Sequence, residues 1–240
     1  MSNAHVSIDF WNTIVIGKTG GELRQQRRLE VLQEVASRQQ RQLTLEEVKE
    51  AQKKVSKEFN KVWLGEQRTH SPYELVVMLL RMLNLQTTEQ EIGPLVTAIE
   101  NTFLEGAPGL APHCATVIPQ LAERYSLSII SDTMFTPGRV LREYLRRKGL
   151  YNYFDTFVFS NEVGYSKPNR EAFTQVLEHT ECAANASYHI GDLQQTDIRG
   201  AQSVGMKAIL YTGITEGEAH ESTADYIMDD WDKIGALLIS

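Results

Sequence analysis

Cysteine is scarce, at two residues in 240. Cys114 and Cys182 are too few and too isolated for a disulfide scaffold or a thiolate metal site, as in a reducing compartment. Long apolar runs are missing as well. The longest, Leu75 to Leu80 (LVVMLL), falls far short of the roughly 20 residues that a membrane helix needs. No basic segment leads into an apolar one near Met1, so no signal peptide is expected, and Ser2-Asn3-Ala4 is left outside the fold argument. Positive charge is in deficit, with 24 Lys and Arg against 31 Asp and Glu and a net charge of −7. That balance argues against non-specific nucleic-acid binding. Internal repeats and low-complexity tracts are also lacking. The expectation is a soluble cytoplasmic protein whose partner is a small molecule, with no nucleic acid and no membrane, and with an oligomeric state that the pattern leaves open.

What is present changes grammar along the chain. From Leu23 to Phe103 the signals are helical. Leu29, Leu32, Val35 and Ala36 recur at three- and four-residue spacing, and Val48, Ala51, Val55, Phe59 and Val62 form a second stripe. Thr44-Leu45-Glu46-Glu47 and Thr88-Glu89-Gln90-Glu91 read as capping boxes, with Leu43 and Val48 placed for a hydrophobic staple. Ser71-Pro72-Tyr73-Glu74 supplies an N-cap, a Pro at the first helical position and a Glu at the third. About four helices are expected here, a small bundle. After Gly106-Ala107-Pro108-Gly109, strands alternate with helices. Strands are expected at Leu127 to Ile130, Phe157 to Phe159, Tyr188 to Ile190 and Lys207 to Leu210, with an edge strand at Tyr226 to Met228. A helix is expected around Ile198 to Val204 and a last one after Asp232. Such alternation predicts an α/β fold, a doubly wound, mostly parallel Rossmann-like sheet. Val6 to Ile8 belongs to that sheet by type but precedes the helical block. The predicted domains are therefore an α/β core over 1–16 and 105–240, and an inserted all-helical domain over 17–104.

In an open α/β sheet, ligands bind at the carboxyl ends of the strands. The expected strands deliver Asp9, then Ser131 and Asp132, then the loop bearing Lys167, then Gly191-Asp192 with Asp197 five residues on. Clustered carboxylates call for a cation, and hard oxygen ligands suit Mg²⁺. A strand-end Asp can attack phosphorus and split one difficult step into two.

This set resembles the haloacid dehalogenase superfamily of hydrolases, which includes many phosphatases. Its motifs appear in order as IDFWNT, IISDT, YSKPN and IGDLQQTD, and the helical block sits where that superfamily inserts its cap domain. The resemblance implies Asp9 as nucleophile and Mg²⁺ ligand, with the backbone carbonyl of Trp11 as a second ligand. Lys167 would pair with Asp9 and the transferring group. Ser131 would contact that group, while Asp192 would ligate the metal, with Asp197 as a further ligand or as support behind the ligands. Thr13, Trp11, Asp132 and Lys18, the last in the Gly-flanked exit toward the cap, are the further substrate-side candidates. The function implied is a Mg²⁺-dependent phosphatase acting on a small phosphorylated metabolite.

One position departs from the pattern. Family phosphatases usually read D-x-D-x-T, and here Trp11 stands in place of the second Asp. An indole offers only a weakly acidic N–H donor and cannot move the leaving-group proton. Losing a positioned general acid typically costs ~10²–10⁴ in rate. Three readings stay open: a phosphatase with another acid, for which Asp132 is a candidate; a dehalogenase-type hydrolase using Asp9 on carbon; and a non-catalytic binding protein. Retention of Asp192 and Asp197 favours the first. His189 reads as structural, and Arg24, Arg27, Arg28, Arg139, Arg142, Arg146 and Arg147 read as solvated helix faces.

Overall fold

The computed structural model describes residues 4–215 and 219–239, so Ser2 and Asn3 lie outside the described residues. Six strands, β1 (His5–Ile8), β2 (Ser126–Ser131), β3 (Thr156–Phe159), β4 (Tyr188–Gly191), β5 (Lys207–Tyr211) and β6 (Tyr226–Met228), form one sheet in the order β3-β2-β1-β4-β5-β6. Every pairing is parallel, including that of the edge strand β6 with β5. The helices are α1 (Gly21–Arg38), α2 (Leu45–Glu66), α3 (Pro72–Met82), α4 (Glu89–Glu105), α5 (Cys114–Ala122), α6 (Gly138–Arg147), α7 (Ser160–Val163), α8 (Arg170–Thr180), α9 (Arg199–Ser203) and α10 (Trp231–Ile239).

Strand alternation sends side chains to two faces. Val6, Ile8, Leu127, Ile129, Ile190 and Ile209 join one apolar core with residues of α5, α6 and α10. Ile130, Ala208 and Leu210 join another with residues of α8 and α9. Both faces are covered, as right-handed crossovers require. The chain leaves β1 for β2 and β3 on one side, then returns to β4 on the other. Such a reversal of strand order opens a crevice at the carboxyl ends, here between β1 and β4.

Helices α1–α4 surround an apolar core of their own, built from Leu32, Val55, Leu75, Leu79, Ile99 and their neighbours. Their starts follow the local rules. Glu47 and Glu74 accept from the Thr44 and Ser71 backbone N–H groups at 2.8 Å while their own N–H groups donate to the Thr44 and Ser71 hydroxyls at 3.2 Å. Two crossing segments join this block to the sheet. Gly20, at φ +70°, lies against Gly106 so closely that a Cβ on it would sit 2.2 Å from the Gly106 carbonyl oxygen. The Arg24 guanidinium ties the crossing together by donating to the carbonyls of Gly17, Thr19 and Gly106 at 2.6–2.8 Å. Among the described residues, no helix is long and apolar enough to cross a membrane.

Two local expectations shift. In place of one helix from Ile198 to Val204, a π-turn over Gln194–Ile198 runs into the short α9. The last helix starts at Trp231, where Asp230 accepts the Asp232 N–H at 2.7 Å.

Candidate active site

Asp9 follows the fully buried Ile8, and its N–H still pairs with the Ile190 carbonyl at 2.8 Å. Beyond it the chain turns sharply, with Asn12 at φ 53° and the N–H groups of Ile14 and Val15 returning to the Phe10 carbonyl. Asn is one of the few side chains that tolerates this left-handed conformation. Trp231 pins the turn by donating its indole N–H to the Thr13 carbonyl at 3.0 Å.

Lys167, only 2% exposed, donates through Nζ to Asp9 Oδ1 at 2.5 Å and to Asp197 Oδ1 at 2.6 Å. The same Asp197 oxygen meets His189 Nε2 at 3.0 Å, while Oδ2 accepts from the Leu193 N–H at 3.1 Å and the Thr196 hydroxyl at 3.2 Å. Because an ionised carboxylate only accepts, His189 carries its proton on Nε2, and Nδ1 accepts from the Ser7 hydroxyl at 2.8 Å. Gly191 makes room for this arrangement, since a Cβ there would lie 2.3 Å from Asp197 Cγ.

The charges follow. Burial pushes the Asp197 carboxyl up, but Lys167 and His189 outweigh it and hold it well below the usual range. Burial also disfavours charged Lys167, and Asp197, Asp9 and Asp132 more than restore it. For Asp9 burial dominates, opposed by Lys167 and reinforced by Asp197 and Asp192, and its carboxyl is raised well above the ordinary value. Buried His189 is shifted down and is neutral at neutral pH.

Asp192 differs from its neighbours. Its Oδ2 accepts from the Asn12 amide at 3.3 Å, but no Lys, Arg or His reaches it within ion-pair distance among the described residues. Burial, with Asp197 adding, pushes it up to about 7. Asp9 and Asp192 act on each other's charge in a cavity that Trp11 also lines; with the Trp11 carbonyl they offer all-oxygen donors of the kind Mg²⁺ takes, and these residues fit that ion. Asp197 has both oxygens engaged and fits better as the anchor of Lys167.

Asp132, in the loop after β2, receives the Trp63 indole N–H from α2 on Oδ2 at 2.7 Å and the Lys167 backbone N–H on Oδ1 at 3.1 Å. Burial raises its carboxyl to about 6 against the pull of Lys167 and Trp63.

Asp9, Trp11, Asp132, Lys167, Asp192 and Asp197 all line one cavity of about 470 Å³ between the sheet end and the helical block. Trp11 also packs edge-on against Phe10 and Phe103 at 5.4 and 5.5 Å. Three candidates are not in the wall. Thr13 lies buried behind Asp9 and donates to its Oδ2 at 3.4 Å. Ser131 is buried, with its hydroxyl 3.4 Å from the Asp132 carbonyl. Lys18 is exposed and lines a separate groove between the start of α1 and α2, because the backbone turns away after Gly17.

The helical block's wall holds Arg24, Gln25 and Arg28 of α1 and Phe59 and Trp63 of α2; the pattern marks Arg24 and Arg28 as solvated and Phe59 as core, and gives no sign of Gln25 or Trp63. Arg24 and Arg28 are instead half-buried against the cavity, unlike Arg27, which is exposed and pairs with Glu30 and Glu105 on the surface. Their i, i+4 spacing marks one helix face, but nothing in it tells a cavity from solvent.

Comparison with known proteins places this geometry. The chain is 35% identical over 107 residues to a glyceraldehyde 3-phosphate phosphatase of Methanothermobacter thermautotrophicus, a match covering 43% of this chain and 45% of that protein. It is 28% identical over 157 residues to a ribulose-1,5-bisphosphate 5-phosphatase of Halopiger xanaduensis, covering 64% of each. The chain thus spans about half to two thirds of the length of these relatives. In fold, it superposes on a 2-haloacid dehalogenase from Pseudomonas syringae pv. Tomato DC3000 with a TM-score of 0.74 at 20% identity, over 100% of this chain and 99% of that one. Residues 29–211, about three quarters of the 240, match the profile of the haloacid dehalogenase-like hydrolases, and the chain belongs to that family.

Proposed function

We propose that the chain is a Mg²⁺-dependent phosphatase that hydrolyses a small phosphate monoester through an aspartyl-phosphate on Asp9. The observation that carries this is the Lys167 clamp on Asp9 and Asp197, facing an Asp192 carboxylate that has no cation of its own. Both relatives are named as phosphatases of small phosphorylated compounds, which supports the same substrate class.

Asp9, Asp192 and the Trp11 carbonyl would hold the ion, which neutralises the acids and draws charge from the phosphoryl oxygens. Thr13 and Lys167 fix the two Asp9 oxygens, so the nucleophile is oriented before substrate enters. Lys167 opposes the burial that raises the Asp9 carboxyl, and a bound cation would add to that pull toward the ionised nucleophile. An Asp9 oxygen forms a bond to phosphorus as the ester P–O bond breaks, and the departing alkoxide takes a proton. Trp11 cannot give it. Asp132 lines the same cavity and has a carboxyl raised to about 6, so it supplies that proton and recovers it from the attacking water in the second step. Water oxygen bonds to phosphorus, the Asp9–phosphorus bond breaks, and phosphate leaves with Asp9 restored. The helical block over the cavity acts as the cap that selects substrate and excludes water.

A dehalogenase reading draws on Trp11, because a halide leaving group needs no proton. It leaves the unpaired Asp192 without a purpose. Hydrolysis of para-nitrophenyl phosphate, with Mg²⁺ or EDTA and with Asp9→Asn beside the parent, tests the proposal. Phosphate release that requires both Mg²⁺ and Asp9 supports it. Chloride release from a 2-haloacid by the metal-free protein, with no phosphate release from any ester, would replace it with the dehalogenase reading.

A further inference from the structure

Arg24, Gln25 and Arg28 occupy one turn of α1 and all line the cavity, yet they are bonded very differently. The Arg24 guanidinium is committed to the crossing segments through three carbonyls. Arg28 touches Thr102 Oγ1 through Nε at 3.4 Å and lies over the Phe135 ring at 5.0 Å. Among the described residues, its two terminal nitrogens have no hydrogen-bond partner and no carboxylate lies within ion-pair distance. Burial, with Arg24 close by, lowers its pKa to about 10, which still leaves it charged at neutral pH. Arg28 is half-buried, and a guanidinium whose unpartnered donors open onto a cavity without a counter-ion is a ready partner for an anion. Its planar fork matches a carboxylate or phosphate with two parallel hydrogen bonds. Gln25 adds a second unmet need, because its Oε1 is buried without a partner.

Phe135, in the loop after β2, lies under the Arg28 guanidinium, and Met134 and Thr136 beside it also line the wall. Asp9, Lys167 and Asp192 line the same cavity. One small molecule in this cavity of about 470 Å³ can therefore meet both groups of residues.

We propose that Arg28 receives a second anionic group at the non-reacting end of the substrate. The substrate class is then a small phosphate ester that also carries a carboxylate or a second phosphate, with a hydroxyl for Gln25. This inference rests on the phosphatase reading for which end reacts, but the subsite itself is tested by binding alone.

The probes are 3-phosphoglycerate, glycerol 1,3-bisphosphate and glycerol 3-phosphate, which share one phosphate end and differ in the other group. Calorimetric titration into Asp9→Asn with Mg²⁺ reads affinity without turnover. A pair of charge-assisted hydrogen bonds makes the two doubly anionic probes bind about 10- to 100-fold tighter than glycerol 3-phosphate. Whichever of the two is tighter tells carboxylate from phosphate. Adding Arg28→Met to that background brings the ratio close to one, and Arg28→Lys restores part of it. Equal affinity for all three probes, no binding of either doubly anionic probe, or a ratio that survives Arg28→Met would each overturn the proposal. Should Arg28→Met not fold, the ratio in the Asp9→Asn protein decides. A retained ratio with no Asp9-dependent phosphate release in the parent would fell the phosphatase reading while leaving this subsite in place.

Discussion

On the sheet side of the cavity, Ser7, His189, Asp197, Lys167 and Asp9 form one unbroken chain of contacts between 2.5 and 3.0 Å. On the helical side, Phe59 and Trp63 present ring faces and edges, Arg28 has spare donors, and Gln25 has a spare acceptor. The first wall is satisfied before any ligand arrives, apart from Asp192, whose partner would be a cation. The second is left open. Preorganised charge on rigid strand ends suits chemistry common to many substrates, whereas unspent donors and acceptors on a separately packed block suit recognition of one.

Breaking the closed wall should have the largest consequence. Lys167→Met leaves Asp9 and Asp197 buried without their cation. Removing one partner of such a buried pair costs about 3–5 kcal/mol. We expect a large fall in the urea midpoint together with loss of measurable turnover. A midpoint within error of the parent would show that Lys167 does not hold the acids. A smaller but more selective effect is expected from Asp132→Asn. Phosphate release from alkyl esters should drop by roughly 10²–10⁴, while para-nitrophenyl phosphate, whose leaving group needs little proton assistance, loses much less. Equal losses on both substrates would remove Asp132 from the proton's path.

The Asp192 gap can be sharpened by pH. Asp132 and Asp192 have folded-state values of about 6 and about 7, above those of free carboxyls. Their contribution to stability is fully present below the unfolded value, near pH 4, and is lost as pH rises through the folded values. A cation that favours ionised Asp192 counters that loss, so Mg²⁺ should raise Tm more at neutral pH than at pH ~5. Identical increments at both would mean that the ion does not meet Asp192. The smallest effect should come from the open wall. Trp63→Phe keeps the ring beside Phe59 but removes the N–H that lowers the Asp132 pKa. The alkaline limb of single-turnover phosphoryl transfer from an alkyl ester, set by loss of the Asp132 proton, should then move to higher pH, and an unmoved limb would show that this bond does not tune the acid.

How much of this the sequence carries follows the same division. Asp9, Asp132, Lys167 and Asp192 were legible because strand grammar fixes where a strand ends, and all strands of a parallel sheet end on one side. His189 was legible only as a buried strand residue. Its bond to Asp197 depends on a π-turn and on the space that Gly191 leaves. Lys18 and Arg28 exchanged places relative to expectation. Closeness to Asp9 in sequence suggested Lys18, but the backbone turns it outward. Arg28 lies about two helical turns further on, on an α1 face that lines the cavity while other faces of α1 pack on α2 and α4. Helical periodicity reports which face meets the block's own core and is silent on which polar face meets another unit. Ser131 and Thr13 were placed correctly along the chain, yet both lie behind the wall.

The proposed reaction stands on Asp9 forming a covalent bond to the transferred group. Acid quench during steady-state turnover of a small phosphate ester with Mg²⁺, followed by mass spectrometry of the peptide containing Asp9, tests this directly. The expected result is a phosphoryl group on Asp9, absent with EDTA and absent in Asp9→Asn. Full turnover with that peptide unmodified, or a phosphoryl group on another residue, would contradict it.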